Sequence, residues 1–289
     1  MRCARCRKEA VFTTPALCTE HFISYFERKV KKTIADFTLL SKRDKIVVAT
    51  SGGKDSLTTL FVLQKFGYDV TALLIDEGIA GYRPVTRKGL ETFCQEKKIP
   101  LLVASFKKEF HFTLDEMMKK GKHPCTVCGT FRRYLLHTYS KGFDVLATGH
   151  NADDEAQAVL MNLCRANTEL FTRLGPRTTS RGQGFVPRVK PLSFCTEKEV
   201  MVYAFLNEIV VEFVECPYVA EAYRAGIRDA LNEYERSHPG TKERVLRHFL
   251  KVKKTLPASE STTVACASCG EPSASGECKA CRLRAELSL

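Results

Sequence analysis

Short apolar runs alternate with longer amphipathic stretches through the middle of the chain. Residues 45–50 (KIVVAT), 69–78 and 100–106 are apolar runs of strand length, and a fourth begins at residue 143. The stretches between them, such as residues 85–98, place apolar side chains at helical spacing. Strands alternating with helices predict a parallel sheet covered by helices on both faces. We therefore expect an α/β, doubly wound fold.

Polar, glycine-containing segments follow three of these strands. They are residues 51–56 (SGGKDS), 76–78 and 149–154. Because ligands of open parallel sheets bind beyond the carboxyl ends of the strands, we expect the three segments to share one site.

Composition and charge narrow the class of protein. The chain has 289 residues, 44% of them hydrophobic, and a net charge of +12, which favours a polyanionic partner such as nucleic acid. No apolar run approaches the roughly 18 residues that span a bilayer, and the N-terminus lacks the apolar segment of a secretion signal. We expect a cytoplasmic protein with no membrane partner. Its 13 cysteines then indicate metal binding or thiol chemistry rather than disulfides.

Two groups of metal-binding side chains stand at the ends of the chain. The first has the spacing C-x2-C, eleven residues, C-x2-H, and the second C-x2-C, eight residues, C-x2-C. Four ligands in such pairs suit tetrahedral zinc and leave no open position, so we predict two structural Zn²⁺ ions. Redox dithiols are the alternative, and the imidazole at position 21 could instead lie on a helix surface. The predicted ligands are Cys3, Cys6, Cys18 and His21, and Cys266, Cys269, Cys278 and Cys281.

The cysteine groups and the alternating region divide the chain into four segments. We predict an N-terminal zinc finger in residues 1–25 and a catalytic domain in residues 26–195. A helical C-terminal extension then covers residues 196–258, interrupted at residues 216–217, and a zinc finger covers residues 259–289.

The segment SGGKDS combines a Gly-Gly turn, a lysine and two hydroxyls at the start of a predicted helix. Backbone N–H groups, the helix dipole and Lys54 would together hold an anion. The segment is not a Walker A loop, since Asp55 follows the lysine and Val48 stands where that motif needs glycine. A carboxylate in an anion site suggests Mg²⁺ bridging Asp55 to pyrophosphate. The alternative is a glycine-rich turn without a ligand.

Two further cysteines, Cys125 and Cys128, precede a basic helical stretch. This pair could bind metal, form a redox pair or hold an iron–sulfur cluster. Candidates for a third ligand are Cys164, which we interpret as a packed core thiol, Cys195, and Cys216 in the irregular segment before a proline.

Several of these segments resemble known families. SGGKDS after a strand resembles the loop of the N-type ATP pyrophosphatases, which adenylate a carbonyl oxygen and release pyrophosphate. HPCTVCG, GHNADDEAQ, PRVKPL and ECPY, between zinc fingers at both ends, resemble the archaeal and eukaryotic tRNA 2-thiouridine synthetases over essentially the entire chain. The resemblance implies an adenine nucleotide alpha hydrolase-like PP-loop domain flanked by zinc-finger modules.

The resemblance also implies a mechanism. The C2 oxygen of a tRNA uridine attacks the α-phosphorus of ATP, whose phosphates are held by Lys54, the loop amides and Mg²⁺. Cys125, Cys128 and Cys216 ligate a 4Fe–4S cluster whose fourth iron binds hydrosulfide, which then attacks C2 and releases AMP.

The resemblance assigns roles to two further side chains. Asp154 acts as an acid–base or Mg²⁺-related carboxylate. Arg132 contacts phosphate where the family usually has lysine, and an arginine can clamp phosphate but cannot shuttle a proton. Alternatively, Asp153 and Asp154 complement the dipole of a helix N-terminus. The predicted nucleotide-binding residues are Ala49, Thr50, Ser51, Gly52, Gly53, Lys54, Asp55, Ser56, Ile75, Asp76, Arg132, Gly149 and His150.

We expect tRNA to contact basic side chains, mostly through phosphates. The resemblance further implies a homodimer and, as sulfur donor, either free sulfide or a ubiquitin-like carrier protein. The alternative functions are a tRNA 2-thiocytidine synthetase, a persulfide or disulfide thiolase without a cluster, and a zinc-knuckle RNA-binding adaptor without catalysis. The candidate tRNA contacts are Arg132, Arg133, Arg173, Arg177, Arg181, Arg188, Lys190, Arg244, Arg247, Lys251, Lys253 and Lys254.

Overall fold

A computed structural model describes residues 1–119, 121, 123–178, 185–212, 214–218, 224–256 and 263–287. The strands are β1 (Phe12–Thr13), β2 (Ala16–Leu17), β3 (Lys45–Thr50), β4 (Asp69–Asp76), β5 (Leu101–Ser105), β6 (Val145–Thr148), β7 (Arg177–Thr178), β8 (Arg188–Val189), β9 (Val264–Ala265) and β10 (Pro272–Ser273). The helices are α1 (Thr19–Asp36), α2 (Lys54–Lys65), α3 (Arg83–Lys97), α4 (Phe106–Phe110), α5 (Leu114–Met118), α6 (Pro124–Ser140), α7 (Ala152–Cys164), α8 (Thr168–Thr172), α9 (Glu197–Leu206), α10 (Arg224–Ser237), α11 (Thr241–Lys253) and α12 (Lys279–Glu286).

The central sheet has the strand order β5-β4-β3-β6-β8-β7. Strand β3 pairs in parallel with β4 on one side and β6 on the other, and β8 continues in parallel beyond β6. The short edge strand β7 runs antiparallel to β8, so the sheet is mostly rather than entirely parallel. From β3 the chain forms β4 and then β5 at one edge of the sheet, and it returns to form β6 on the other side of β3. This reversal creates a topological switch point between the carboxyl ends of β3 and β6.

Both faces of the sheet are covered, which confirms the predicted doubly wound α/β fold. Ile46 and Val48 of β3 belong to a core that includes residues of α1, α2, α3 and α9. Val47 between them belongs to a second core with α4, α5 and α6. A strand buried on both faces is apolar at consecutive positions, which is why residues 45–50 read as an apolar run.

The terminal cysteine modules join opposite faces of this sheet. Phe12 and Leu17 of the N-terminal module lie in the first core, and Cys266 and Cys281 of the C-terminal module lie in the second. Helix α1 runs without interruption from the N-terminal module to Asp36, so the predicted boundary between residues 25 and 26 falls inside a helix.

Some local predictions differ from the structure. The described residues of 207–218 contain no helix, so the interruption of the C-terminal extension is longer than the predicted break at Cys216 and Pro217. Cys164, expected to be packed in a core, is exposed at the end of α7, where no neighbouring element covers it. The candidate tRNA contact Arg181 lies outside the described residues. Among the described helices, none has the length and apolar character needed to cross a membrane.

Candidate active site at the switch point

The SGGKDS segment forms a tight turn from β3 into α2. Gly53 is the N-cap of α2, so the first N–H groups of this helix lack partners within it and remain free to bind an anion. Gly52 has a φ of +85°, and a Cβ at this position would lie 2.4 Å from the carbonyl oxygen of Thr86. Only glycine allows this close approach, which presses the loop against the first turn of α3.

The carboxyl end of β6 meets the same loop. A Cβ on Gly149 would lie 2.8 Å from the carbonyl carbon of Asp55, so these two backbones touch. The side-chain amide of Asn151 donates to Asp55 Oδ1 at 3.0 Å. The structure therefore brings together residues 51–56 and 149–154, as expected from their positions after neighbouring strands.

A cavity of about 400 Å³ opens beside the loop at the switch point. Ten of the predicted site residues line it, while Gly52, Gly53, Lys54 and Asp76 are not among its lining residues. The ten are Ala49, Thr50, Ser51, Asp55, Ser56, Ile75, Arg132, Gly149, His150 and Asp154.

The side chains of Lys54 and Asp76 have other partners. Lys54 Nζ lies 3.0 Å from Asp55 Oδ2 and 2.8 Å from Glu197 Oε1, between two carboxylates. Asp76 Oδ1 accepts from the backbone N–H of Gly78 at 2.9 Å and so closes the turn after β4. Asp76 therefore shapes the turn, while its neighbour in the chain faces the cavity.

That neighbour, Glu77, is a carboxylate that the sequence reasoning missed. Its side chain is 1% exposed and lies 2.6 Å from Arg83, which is 4% exposed. Arg83 NH1 also donates to the carbonyl oxygen of Ser51 at 2.9 Å, and Glu77 Oε1 lies 3.9 Å from Arg132 NH1. One buried carboxylate thus connects the phosphate loop, through Arg83, to the helix that carries Arg132.

Asp153 and Asp154, adjacent in the chain, lie in different environments. Asp153 forms an ion pair with Lys242 of α11 and accepts from the backbone N–H of Glu197, which joins α7 to two other helices. Asp154 faces the cavity, and its Oδ1 lies 2.9 Å from Arg224 NH1. Desolvation within the cavity raises the pKa of Asp154 to about 6, against the opposing effect of Arg224. Asp154 Oδ2 also accepts from the backbone N–H of the N-cap residue of α7 at 3.2 Å, so Asp154 supports the helix start as well as facing the cavity.

His150 is held neutral in this cavity. It opens toward the cavity yet is surrounded by protein atoms, and the resulting desolvation, together with Lys190 and Arg224, lowers its pKa to about 3. Thr148 Oγ1 lies 2.8 Å from its Nδ1. An uncharged imidazole at neutral pH can bind a nucleotide through hydrogen bonds but cannot serve as a cation there.

The central cysteines lie next to the cavity. Cys125 and Cys128 lie at the start of α6, and Arg132, one turn after Cys128, lines the cavity. Cys128 and Cys216 pack against the same core, and the Cys125 sulfur lies 4.0 Å from the carbonyl oxygen of Tyr218. Burial raises the pKa of Cys128 to about 11, and Arg132 opposes the shift. Of the three candidates for a third ligand, Cys216 is the one near this pair, since Cys195 is fully buried in the opposite core.

Comparison with known proteins gives the family. A model of the PP-loop domain matches residues 23–233. A tRNA-5-methyluridine(54) 2-sulfurtransferase from Pyrococcus horikoshii is 38% identical over 98% of the chain and 93% of its own length. The chain belongs to the PP-loop tRNA sulfurtransferases.

Two other similar proteins support this assignment. Cytoplasmic tRNA 2-thiolation protein 1 from Drosophila melanogaster is 35% identical over 97% of this chain and 86% of its own. The solved structure of a U34-tRNA thiolase from Methanococcus maripaludis, with its 4Fe–4S cluster, superposes with a TM-score of 0.85 at 31% identity, covering 99% of this chain and 96% of that one.

The sulfurtransferase has two compact groups of terminal ligands. In each group the four ligand atoms lie within 4.8 Å of one another, and these are the two such groups among the described residues. The Cys6 and Cys18 sulfurs are 3.5 Å apart and the Cys269 and Cys278 sulfurs 3.8 Å. Tetrahedral zinc with Zn–S bonds of about 2.3 Å needs sulfurs about 3.8 Å apart, so both groups fit one ion.

The two groups share a helix-start geometry. Cys18 is the N-cap of α1 and His21 its third residue, while Cys278 is the N-cap of α12 and Cys281 its third residue. The N-cap and third positions face each other, which explains why two ligands separated by two residues converge there.

Proposed function

We propose that this chain thiolates a uridine of tRNA at C2, with ATP consumed to AMP and pyrophosphate. The observation that carries the proposal is that the phosphate loop and the helix bearing Cys125 and Cys128 meet at one cavity, with Arg132 between them. An activated carbonyl formed at the loop would lie next to a sulfur source. A non-catalytic adaptor would have no use for this arrangement.

The phosphate loop fits Mg²⁺–ATP. The first-turn N–H groups of α2 and the hydroxyls of Ser51 and Ser56 offer hydrogen bonds to the β- and γ-phosphates. Asp55 reaches the cavity and is held by Lys54 and Asn151, so its carboxylate would help to hold a magnesium ion bound with ATP. Lys54 neutralises Asp55, and moves onto phosphate when the nucleotide enters.

Arg132 and Asp154 flank the reacting centre. Arg132 stabilises the charge that develops on the α-phosphate as the C2 oxygen of the uridine attacks it. Asp154, with its pKa near 6, is ionised at neutral pH and accepts the uridine N3 proton as the adenylate forms. Sulfur at the sulfide level, arriving as hydrosulfide, then attacks C2. The C2–O bond breaks, AMP leaves with the electron pair, and the hydrosulfide proton ends on N3.

The central cysteines fit a 4Fe–4S cluster. Their three thiols are soft ligands, and ligands of different irons need not approach as closely as ligands of one zinc ion. Such a cluster, when bound by Cys125, Cys128 and Cys216, supplies an iron with an open position that can carry sulfur. The terminal groups fit structural Zn²⁺, since each presents four ligands to one ion.

Lys54→Ala tests the first half of this proposal. We expect at least a hundredfold loss of tRNA-dependent pyrophosphate release, because the variant removes the cation nearest the loop. Lys32→Ala is the control, since Lys32 lies exposed on α1 in an ion pair with Asp36. If neither protein releases pyrophosphate while both bind tRNA, the chain is an adaptor and the proposal fails.

The colour of the purified protein and the thionucleoside that it forms distinguish the remaining alternative functions. Protein purified without oxygen should be brown and lose activity in air as the cluster decays. A colourless protein with full activity would instead indicate persulfide chemistry at the central cysteines. Formation of 2-thiocytidine rather than a 2-thiouridine would identify the other thiolase class.

The remaining predictions concern partners and location. A homodimer and a ubiquitin-like sulfur-carrier protein are implied by the family resemblance and stay predictions for this chain. A cytoplasmic location is supported by the name of the Drosophila relatives.

A further inference from the structure

Among the residues that the structure describes, the cavity carries more arginines than carboxylates. Five arginines and three carboxylates of these described residues line it. Glu77 pairs with Arg83 and lies near Arg132, Asp154 pairs with Arg224, and Asp55 pairs with Lys54. The two cavity arginines left over are Arg133 and Arg188.

These two side chains have no hydrogen bond or ion pair with any residue that the structure describes. Arg133 lies on α6 directly after Arg132, and Arg188 lies on β8. Partial desolvation and the neighbouring arginines lower the pKa of both guanidinium groups, while the Arg133 side chain still reaches solvent. Because a guanidinium keeps its proton, the protein holds two mutually repelling cations in the cavity until an anion binds.

The position of Arg188 separates it from the nucleotide loop. Strand β8 is two strands away from β3, with β6 between them, which corresponds to about 10 Å along the sheet. The loop after β3 already offers N–H groups, hydroxyls and Lys54 to the phosphates of ATP. Arg188 therefore lies in the same cavity but apart from the groups of the loop that hold the ATP phosphates.

Arg133 connects the active-site cavity to a second, smaller one. This neighbouring cavity of about 160 Å³ is lined by Arg133, Tyr134, His137, Phe185 and Lys279, among others. Lys279 is the first residue of α12, in the C-terminal cysteine module. Aromatic rings interleaved with cations from Arg133 to Lys279 suit a nucleic acid strand better than a small anion.

We propose that Arg133 and Arg188 form a second phosphate site, which binds a backbone phosphodiester of the tRNA next to the target uridine. The site would fix the register of the tRNA strand, with the chain continuing toward Lys279 over the second cavity. This inference rests on the proposed function and assigns two of the twelve candidate tRNA contacts to the tRNA backbone at the reacting nucleotide.

The test compares Arg133→Gln and Arg188→Gln with Arg28→Gln, an exposed arginine of α1 that loses the same charge. We expect about tenfold weaker tRNA binding for each cavity variant, since each loses a charge-assisted hydrogen bond. The slope of log affinity against log salt concentration should fall by about one per variant, and ATP affinity should stay unchanged. Arg188→Lys should keep the salt slope, because it keeps the charge.

Two results would overturn the inference. One is tRNA affinity and salt slope equal to those of Arg28→Gln. The other is weakened ATP binding with tRNA binding intact, which would assign the two arginines to the nucleotide. Wild-type protein that binds tRNA with the predicted salt dependence but makes no thionucleoside would refute the proposed function and leave this phosphate site standing.

Discussion

The terminal and the central cysteines offer the same kind of ligand, a thiolate, in two different structural environments. At each terminus four ligand atoms already lie within 4.8 Å of one another, and two of them are fixed at the N-cap and third position of a helix. The central three sit at the start of α6 and in the irregular segment around Cys216, beside a cavity lined by arginines. A closed ligand set stabilises the fold, whereas an incomplete set next to a substrate cavity leaves room for chemistry.

Removal of a central cysteine should have the largest effect and should spare the fold. We expect Cys216→Ser to abolish thiolation while the free energy of unfolding changes by less than about 1 kcal/mol. Cys164→Ser, at the exposed end of α7, is the matched control and should remain fully active. Nucleoside mass spectrometry and urea unfolding measure both properties. An active Cys216→Ser protein would remove the central cysteines from the mechanism.

Glu77→Gln should show how much the buried ion pair between Glu77 and Arg83, beside the phosphate loop, contributes to the stability of the fold. Arg83 would remain buried without its carboxylate, which costs about 3–5 kcal/mol of unfolding free energy. Asp36→Asn, which breaks the exposed pair with Lys32, should cost less than about 1 kcal/mol. Urea unfolding of the two variants compares these costs. Equal costs would mean that Glu77 does not support the phosphate loop.

Removal of a terminal cysteine ligand should lower both the zinc content and the stability of the protein. We expect Cys278→Ser to lower bound zinc from two equivalents per chain to one and to cost about 2–5 kcal/mol, comparable to losing another cross-link of the chain. Elemental analysis and thermal unfolding measure these quantities. Retention of both zinc equivalents with unchanged unfolding would show that the C-terminal group is not a metal site.

The smallest effect should appear in the pH dependence. Because the pKa of Asp154 is raised to about 6, the carboxylate becomes protonated below that pH, and kcat/KM should rise as the pH increases through about 6. Arg224 opposes this shift, so Arg224→Gln should move the rise toward higher pH. A pH–rate profile that is flat between pH 5 and pH 7 would exclude Asp154 as the base.

The parts of the site that follow directly from strands could be predicted from the sequence. The apolar runs placed β3 and β6 correctly, and the loops after them necessarily meet at one edge of a parallel sheet. The paired spacing of the terminal ligands likewise predicted which residues converge, since each pair with two residues between its members brings both ligands to one side of a turn.

The remaining parts depend on tertiary contacts that no local pattern records. Asp76 and Glu77 are adjacent acids after the same strand, and only the turn at Gly78 decides which one faces the cavity. Arg224 reaches Asp154 from a helix seventy residues later in the chain. Lys54 forms ion pairs with Asp55 and with Glu197 of α9, a partner that the SGGKDS segment alone does not reveal.

The most direct test of the account is nucleoside mass spectrometry of tRNA from a strain that lacks this chain. We predict that one 2-thiouridine-type nucleoside disappears and that its unmodified counterpart accumulates at one position. The wild-type chain should restore it, and Lys54→Ala and Cys216→Ser should not. A complete set of thionucleosides in the deletion strain, or full restoration by both variants, would contradict the central claim.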